Sequence, residues 1–383
     1  MDGFVTKFTR TKNPCPNPAQ SSPTTLRLRS PIKHTFQIQK THTKTVMKTY
    51  LPYSLILAAA ASGMAFGAET AYTTPVGYVT LGDDTAGQPA IKASTDVAVS
   101  IPLIRSTDYA GAVSGTSNST ISLAGTPAWA TNQWAPGAAT PYLVAVNSGA
   151  ENGFVGLITA NSADTLTVTP VTGGSLTNVV AADTVKIYKA WTLISLFPSG
   201  TFPAGVRVFA FSGVFAGTNL AADLNFLWNG TNWTKSGVVS NDTIFYPGES
   251  FFIRTLATQV ATLTLTGEIP TANSRTYIDK VTAGVAQDTR VGYVSPVDEL
   301  IGSSGLSTNL TPGDRLFSFN NSAAGTNKAA TDNVLWNGTN WTLSGVTVSA
   351  TYALKGGKGY FVRRLANAPV GSGDWVDKQS YRP

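Results

Sequence analysis

The octapeptide Leu227-Trp228-Asn229-Gly230-Thr231-Asn232-Trp233-Thr234 occurs twice in this chain. It returns 108 residues later as Leu335-Trp336-Asn337-Gly338-Thr339-Asn340-Trp341-Thr342. The same offset joins Val208-Phe209-Ala210-Phe211 to Leu316-Phe317-Ser318-Phe319, and Ala216-Gly217-Thr218-Asn219 to Ala324-Gly325-Thr326-Asn327. One inserted residue later, Phe251-Phe252-Ile253-Arg254-Thr255-Leu256-Ala257 matches Tyr360-Phe361-Val362-Arg363-Arg364-Leu365-Ala366. An identity of this length containing two tryptophans requires a duplicated module of roughly a hundred residues. A weaker echo links Val76-Gly77-Tyr78-Val79-Thr80 to Val291-Gly292-Tyr293-Val294-Ser295.

The module is read as β. Short β-branched or aromatic runs, such as Tyr142-Leu143-Val144-Ala145-Val146 and Thr184-Val185-Lys186-Ile187-Tyr188, are punctuated by turn formers such as Thr172-Gly173-Gly174-Ser175. In Thr165-Leu166-Thr167-Val168-Thr169 the threonines alternate with apolar residues, which is period two with one wet face. Strands at this spacing predict an all-β chain of short antiparallel strands, in sandwich or barrel-like modules with an internal duplication. No amphipathic helix of useful length is present. Short helical turns are expected near Ala221-Ala222-Asp223 and Ala329-Ala330-Thr331-Asp332.

The start of the chain is a different material. Residues 1–46 carry eight basic residues against Asp2 alone, with prolines at 14, 16, 18, 23 and 31. Such a stretch cannot bury enough apolar surface to fold. Met47-Lys48 then precede the apolar run Leu55-Ile56-Leu57-Ala58-Ala59-Ala60-Ala61, and Ala65-Phe66-Gly67 places small residues where a signal peptidase needs them. This is the pattern of a secretory signal peptide over 47–67. The run is too short for a bilayer span of about 20 residues, and no later stretch qualifies. Translation is accordingly expected to start at Met47; a genuine basic arm is the alternative. Three further segments are expected: an N-terminal β-domain at 68–190, a first repeat at 191–297 and a second at 298–383.

Trimming at Ala68 changes the chemistry. Beyond Lys48 there are 18 Lys and Arg against 20 Asp and Glu, which removes the electrostatic case for nucleic acid. Cys15, His34, His42 and all three methionines precede Ala68. A chain beginning there forms no disulfide, no Ser–His–Asp triad and no Cys–His dyad. It offers neither imidazole nor thiolate to a transition metal. No cofactor and no metal site are expected, and the chain is read as not an enzyme. Carboxylate chemistry stays open, since glycosidases need two facing acids and calcium needs oxygens. The candidate acids Asp83-Asp84 and Asp298-Glu299 read better as solvated turn residues.

Trp228, Trp233, Trp336 and Trp341 are the candidate ligand-binding residues. With a four-residue loop over 229–232, Trp228 and Trp233 become cross-strand partners; with a two-residue Asn229-Gly230 turn, Trp228 pairs with Thr231 and Trp233 with Phe226. Exposed adjacent indoles form a platform for a sugar ring. Buried ones fix the register and cap the core, and this core reading is favoured. Arg254 and Arg363-Arg364 end aromatic strands, where a cation–π contact or ion pair is expected. The Asn-x-Thr triplets are turn chemistry in a bacterial exporter and glycosylation acceptors only in a eukaryotic secretory route.

Several stretches carry a family resemblance. Ala71-Tyr72-Thr73-Thr74-Pro75-Val76-Gly77-Tyr78-Val79-Thr80-Leu81 directly follows the signal segment, and Asp96-Val97-Ala98-Val99-Ser100-Ile101-Pro102-Leu103, Trp191-Thr192-Leu193 and Tyr360-Phe361-Val362-Arg363-Arg364 accompany it. Together they resemble a family of exported proteins that occurs as paralogous sets in verrucomicrobial bacteria. The resemblance covers the chain from Met47. It implies a compartment and a lineage, and brings no catalytic residues.

The expected function is that of an exported, non-catalytic structural or interaction protein, whether periplasmic, cell-surface or extracellular. Polysaccharide or other envelope proteins are the candidate partners. A carbohydrate-binding module using the Trp pairs is the alternative, and a carboxylate-dependent glycosidase ranks third. An outer-membrane barrel ranks below these, because the chain ends in Arg382-Pro383 without a terminal aromatic strand.

Overall fold

The computed structural model describes residues 74–82, 90–137, 140–212, 216–258, 260–261, 263–278, 280–371 and 373–378. The leader, the segment 47–67 and Asp83-Asp84 lie outside the described residues. The described chain is all-β, built from one closed barrel and two six-stranded antiparallel sheets with short satellite ladders. Its two short helices are Leu193–Leu196 and the 3-10 turn Leu306–Asn309. The helical turns expected near Ala221 and Ala329 are not formed; 221–223 and 329–331 run as irregular chain, and Asp332 opens a strand.

The barrel closes in the order Thr107–Thr116, Thr120–Leu123, Thr165–Pro170, Val155–Asn161, Tyr142–Val146, Thr184–Lys189, and back to the first strand. Period-two patterning fills it: Leu166 and Val168 point inward while the threonines between them face outward. Trp129 and Trp134 pack against this core, their rings edge to face at 5.6 Å.

The two sheets are copies. The first orders its strands Asp96–Ser100, Ser250–Arg254, Arg207–Ala210, Leu224–Trp228, Trp233–Lys235, Val238–Val239; the second orders Gln287–Gly292, Gly359–Arg364, Arg315–Ser318, Asp332–Trp336, Trp341–Leu343, Val346–Thr347. Even the satellites recur, Val76–Leu81 pairing with Leu263–Glu268 as Ser274–Tyr277 pairs with Asp374–Asp377.

This pairing divides the chain differently from the sequence reading. Residues 76–100 do not belong with the barrel. Asp96–Ser100 pairs with Ser250–Arg254, so the barrel is inserted between the first edge strand of module one and the rest of it. The second module begins before residue 298, because Ser274–Tyr277 and Gln287–Gly292 are its strands. The counterpart of Asp96–Ser100 is therefore 288–292, and 291–295 corresponds to 99–103 rather than to 76–80. Non-local pairing, not local identity, sets the correspondence, and Asp96/Asp288 and Val99/Val291 are the residues that survive in it.

Each module buries its own core, and a reciprocal interface joins them. The Ser100 amide donates to the Gly357 carbonyl (2.9 Å), and in mirror image the Gly292 amide donates to Gly248 (2.8 Å). Asp96 N–H donates to Gly325 O and Asp288 N–H to Gly217 O, both at 3.0 Å. Such exchange of equivalent contacts is the signature of a two-fold arrangement, here within one chain. Loops 216–219 and 324–327 make these contacts. Their sequence Ala-Gly-Thr-Asn is needed for the shape, since Gly217 and Gly325 take φ of 125° and 124° and Asn219 and Asn327 take 56° and 52°. The edge Asp96–Ser100 is closed by an amide side chain: Asn321 Oδ1 accepts from Ala98 N–H and its Nδ2 donates to Ala98 O.

Candidate functional site

The duplicated octapeptide folds as two matching hairpins with four-residue loops. Trp228 pairs with Trp233 and Trp336 with Trp341, rings 5.5 Å apart in both. The Asn229 side chain accepts from the amides of Thr231 and Asn232, and Asn337 repeats this with Thr339 and Asn340. Trp228, Trp233 and Trp341 are at most 2 % exposed, and Trp336 is half-buried against the core of module two. At least one indole of each pair is thus core, and buried ring faces are not open to stack on a sugar. The aromatic surface that is open lies elsewhere.

That surface follows from strand alternation. In Arg207–Ala210, Val208 and Ala210 face the core of module one while Arg207 and Phe209 face outward; in Ser250–Arg254, Phe251 and Ile253 point in while Phe252 and Arg254 point out. Module two repeats the pattern. The outward faces meet across the pseudo-two-fold axis and enclose a cleft of about 750 Å3. At its centre Phe252 and Phe361 lie 5.6 Å apart at 84°, flanked by Phe319 (5.2 Å from Phe252) and Phe211 (6.1 Å from Phe361). These are edge-to-face contacts favoured by the ring quadrupole.

Arg254 and Arg363 have matched settings. Arg254 makes a two-pronged pair with Asp96 and stacks over Phe209 at 4.7 Å; Arg363 does the same with Asp288 and stacks over Phe317 at 4.8 Å. Each also donates to the asparagine of the opposite module's loop, Arg254 to Asn327 and Arg363 to Asn219. The carboxylate hydrogen bonds raise both guanidinium pKa values. Arg364 also makes the expected ion pair, but on the other face: it turns into the core of module two and pairs with Asp314 at 3.1 Å.

The inward and outward faces have diverged unequally. At inward positions Val206, Val208, Ala210, Phe226, Phe251 and Ile253 have changed to Asp314, Leu316, Ser318, Val334, Tyr360 and Val362, while Val99, Trp228 and Trp233 are kept as Val291, Trp336 and Trp341. Of the ten corresponding pairs that line the cleft, nine are identical; the exception is Leu220 against Lys328. One lining side chain, Arg290, has no lining counterpart, because the matching position is Ala98. Its guanidinium lies 3.5 Å from the centre of Phe211 and 4.3 Å from that of Phe361. It donates only to the carbonyls of Asp288 (3.3 Å) and Leu220 (3.2 Å), and its Nε finds no partner among the described residues. Burial lowers its pKa to about 10, against the opposing pull of Asp288 and Asp223, so it stays charged at neutral pH.

The acids singled out in sequence lie away from this cleft. Asp298 accepts from the Gly356 amide. Glu299 is not a solvated turn acid: it is buried and accepts from the Tyr293 hydroxyl at 2.7 Å. Among the described residues no three His, Cys, Asp or Glu side chains gather as a metal would require. Sequence reasoning missed the cleft, although Phe209-Ala210-Phe211 and Phe317-Ser318-Phe319 signalled it: alternation places both rings of each triplet on one face.

No protein-family model matches the chain, and neither the characterised proteins nor the solved structures compared with it include a match.

Proposed function

We propose that this is an exported, non-catalytic binding protein of the cell envelope or extracellular space, and that it acts through the cleft between its two modules. The carrying observation is the unequal divergence: six of the nine inward pairs compared above differ, while nine of ten lining pairs are identical. The reciprocal interface accounts for the shared Asp, Asn and Arg pairs, but not for the outward alanines and phenylalanines that line the cleft beside them. The cleft also has the form of a small-molecule site, concave, mostly apolar and set with a few polar groups at an inter-module boundary. Export is supported by the signal-like segment 47–67, and a non-catalytic role by the absence of Cys and His beyond residue 67.

The test is to fill the cleft. Ala221 lines it and is exposed, so Ala221→Trp occupies space without disturbing a core. Compounds from a small-molecule library that raise the melting temperature of the full chain should lose that effect on the variant, and none should be chemically altered on prolonged incubation. Compounds that stabilise both proteins equally would move the site elsewhere; turnover of a stabilising compound would end the non-catalytic reading.

A further inference from the structure

The symmetry of the cleft makes its one asymmetric lining strand informative. Arg290 stands where the duplicate strand has Ala98, so the module architecture does not need a guanidinium at this position. A half-buried cation with two long carbonyl contacts and an unpartnered Nε is also costly, since guanidinium N–H groups taken from water need acceptors. The neighbouring carboxylates give it no hydrogen bond, as Asp96 and Asp288 are committed to Arg254 and Arg363 and Asp223 accepts from the Ser212 amide. Lys328, the other departure, adds a fourth cation to the lining, its Nζ donating to the carbonyls of Asn320 and Ala323. The cleft therefore carries four cationic side chains against two carboxylates already paired, on walls of phenylalanine.

We infer that the cleft takes a small aromatic carboxylate, its ring laid against the cleft-facing side of the packed Phe211, Phe252 and Phe361 cluster and its carboxylate recognised by Arg290. This rests on the binding reading above. The walls favour a flat aryl group because the rings present alternating edges and faces into which another ring continues the edge-to-face pattern. A planar guanidinium matches a carboxylate with two parallel N–H donors. A cavity of about 750 Å3 is of drug-sized-ligand scale rather than that of a protein interface.

The experiment is calorimetric titration of the full chain with 2-naphthoate, with neutral 2-naphthalenemethanol, and with decanoate. The expected result is tightest binding of 2-naphthoate, at least about tenfold above the neutral alcohol, the scale of one charge-assisted hydrogen bond. Arg290→Ala should lower 2-naphthoate affinity by about tenfold or more and leave the alcohol unchanged; this variant is expected to fold, because Ala98 occupies the matching strand position. Phe361→Ala should weaken both aryl compounds, and added salt should weaken only the naphthoate. Equal affinity for acid and alcohol, or an Arg290→Ala protein that binds naphthoate normally, overturns the anion assignment. Preference for decanoate overturns the aryl assignment while the cleft remains a binding site. If no probe binds, and the library stabilises wild type and Ala221→Trp alike, both readings fall together.

Discussion

The two modules share a backbone plan and have diverged through much of their interiors around the retained tryptophan pairs. Module one surrounds Trp233 with rings: Phe197 lies 5.9 Å and Phe202 6.0 Å from it, and its Nε1 donates to Phe197 O at 3.2 Å. In module two the corresponding residues are Gly305 and Leu310, and Trp341 Nε1 is buried with no partner among the described residues. Where module one has Val206 and Thr255, module two has the buried ion pair Asp314–Arg364, and where module one has Ile101, module two has Tyr293 bonded to Glu299. The same strand order thus tolerates an apolar, aromatic core and an ionic one. Patterning and approximate volume are sufficient for the module, while the turn residues and the interface loops recur unchanged.

This comparison can be broken in several ways. The largest effect is expected from Asp314→Ala, which strands Arg364, 1 % exposed, without its counter-charge; chemical denaturation should show a loss of about 3–5 kcal/mol. The double change Asp314→Val with Arg364→Thr imports the module-one residues and should recover most of that loss. If it is as damaging as the single change, the interiors are not exchangeable. Trp233→Ala and Trp341→Ala should each cost about 3–5 kcal/mol, as for other buried large aromatics; a near-zero cost at either would place that indole outside the core. At the interface, Asp288→Ala unpairs Arg363 and removes the acceptor for Asn219 N–H, with an expected loss of about 2–3 kcal/mol. Asp96→Ala should match it to within experimental error if the reciprocity is energetic as well as geometric.

Smaller effects separate the modules. Trp233→Phe abandons the hydrogen bond to Phe197 O and should cost about 1 kcal/mol more than Trp341→Phe, whose indole N–H has no bond to lose. Equal costs would mean that the two indoles are equally satisfied. The pH dependence has a defined sign. Burial, with Asp377 and Glu299 nearby, raises the Tyr293 phenol well above its usual value of 10.0. A phenol raised in the folded state binds its proton more tightly there than in the unfolded chain, so its contribution is complete below pH 10 and declines as pH rises beyond it. A Tyr293→Ile variant, copying Ile101, should show a shallower decline in stability above pH 10; an unchanged slope would exclude Tyr293 as its source.

Much of the fold was legible because its signals are local. The octapeptides specify their loops through Asn229 and Asn337, and Thr165–Pro170 wears its period of two openly. The insertion of the barrel was not legible, because Asp96–Ser100 and Gln287–Gly292 retain little common sequence and find their partners about 150 and 75 residues downstream. The cleft was hidden for a related reason. Phe252 and Phe361 look like core residues until the second sheet is placed opposite the first, and no local pattern states that the modules face each other. Arg290 carried no signal, since its meaning lies in a comparison with Ala98 that only the strand register supplies.

The inserted barrel also sets an order of events. Ser100 and Ser250 are register partners across 150 residues of chain. Closing that distance as open coil costs about 3 kcal/mol more entropy than closing a span of half a dozen residues. The barrel reduces that cost by about 0.7 kcal/mol if it closes first, because Thr107 and Tyr188 become neighbours and about 70 residues of open chain remain. A closed barrel thus brings the points where the chain leaves and re-enters the interrupted module side by side. Until then Asp96–Ser100 is a bare edge, awaiting both Ser250–Arg254 and the amide of Asn321, which a ribosome makes more than two hundred residues later. Long-range pairing of this kind is slow and leaves an edge open to other chains, and the barrel shortens the span that the first edge strand of this module must close.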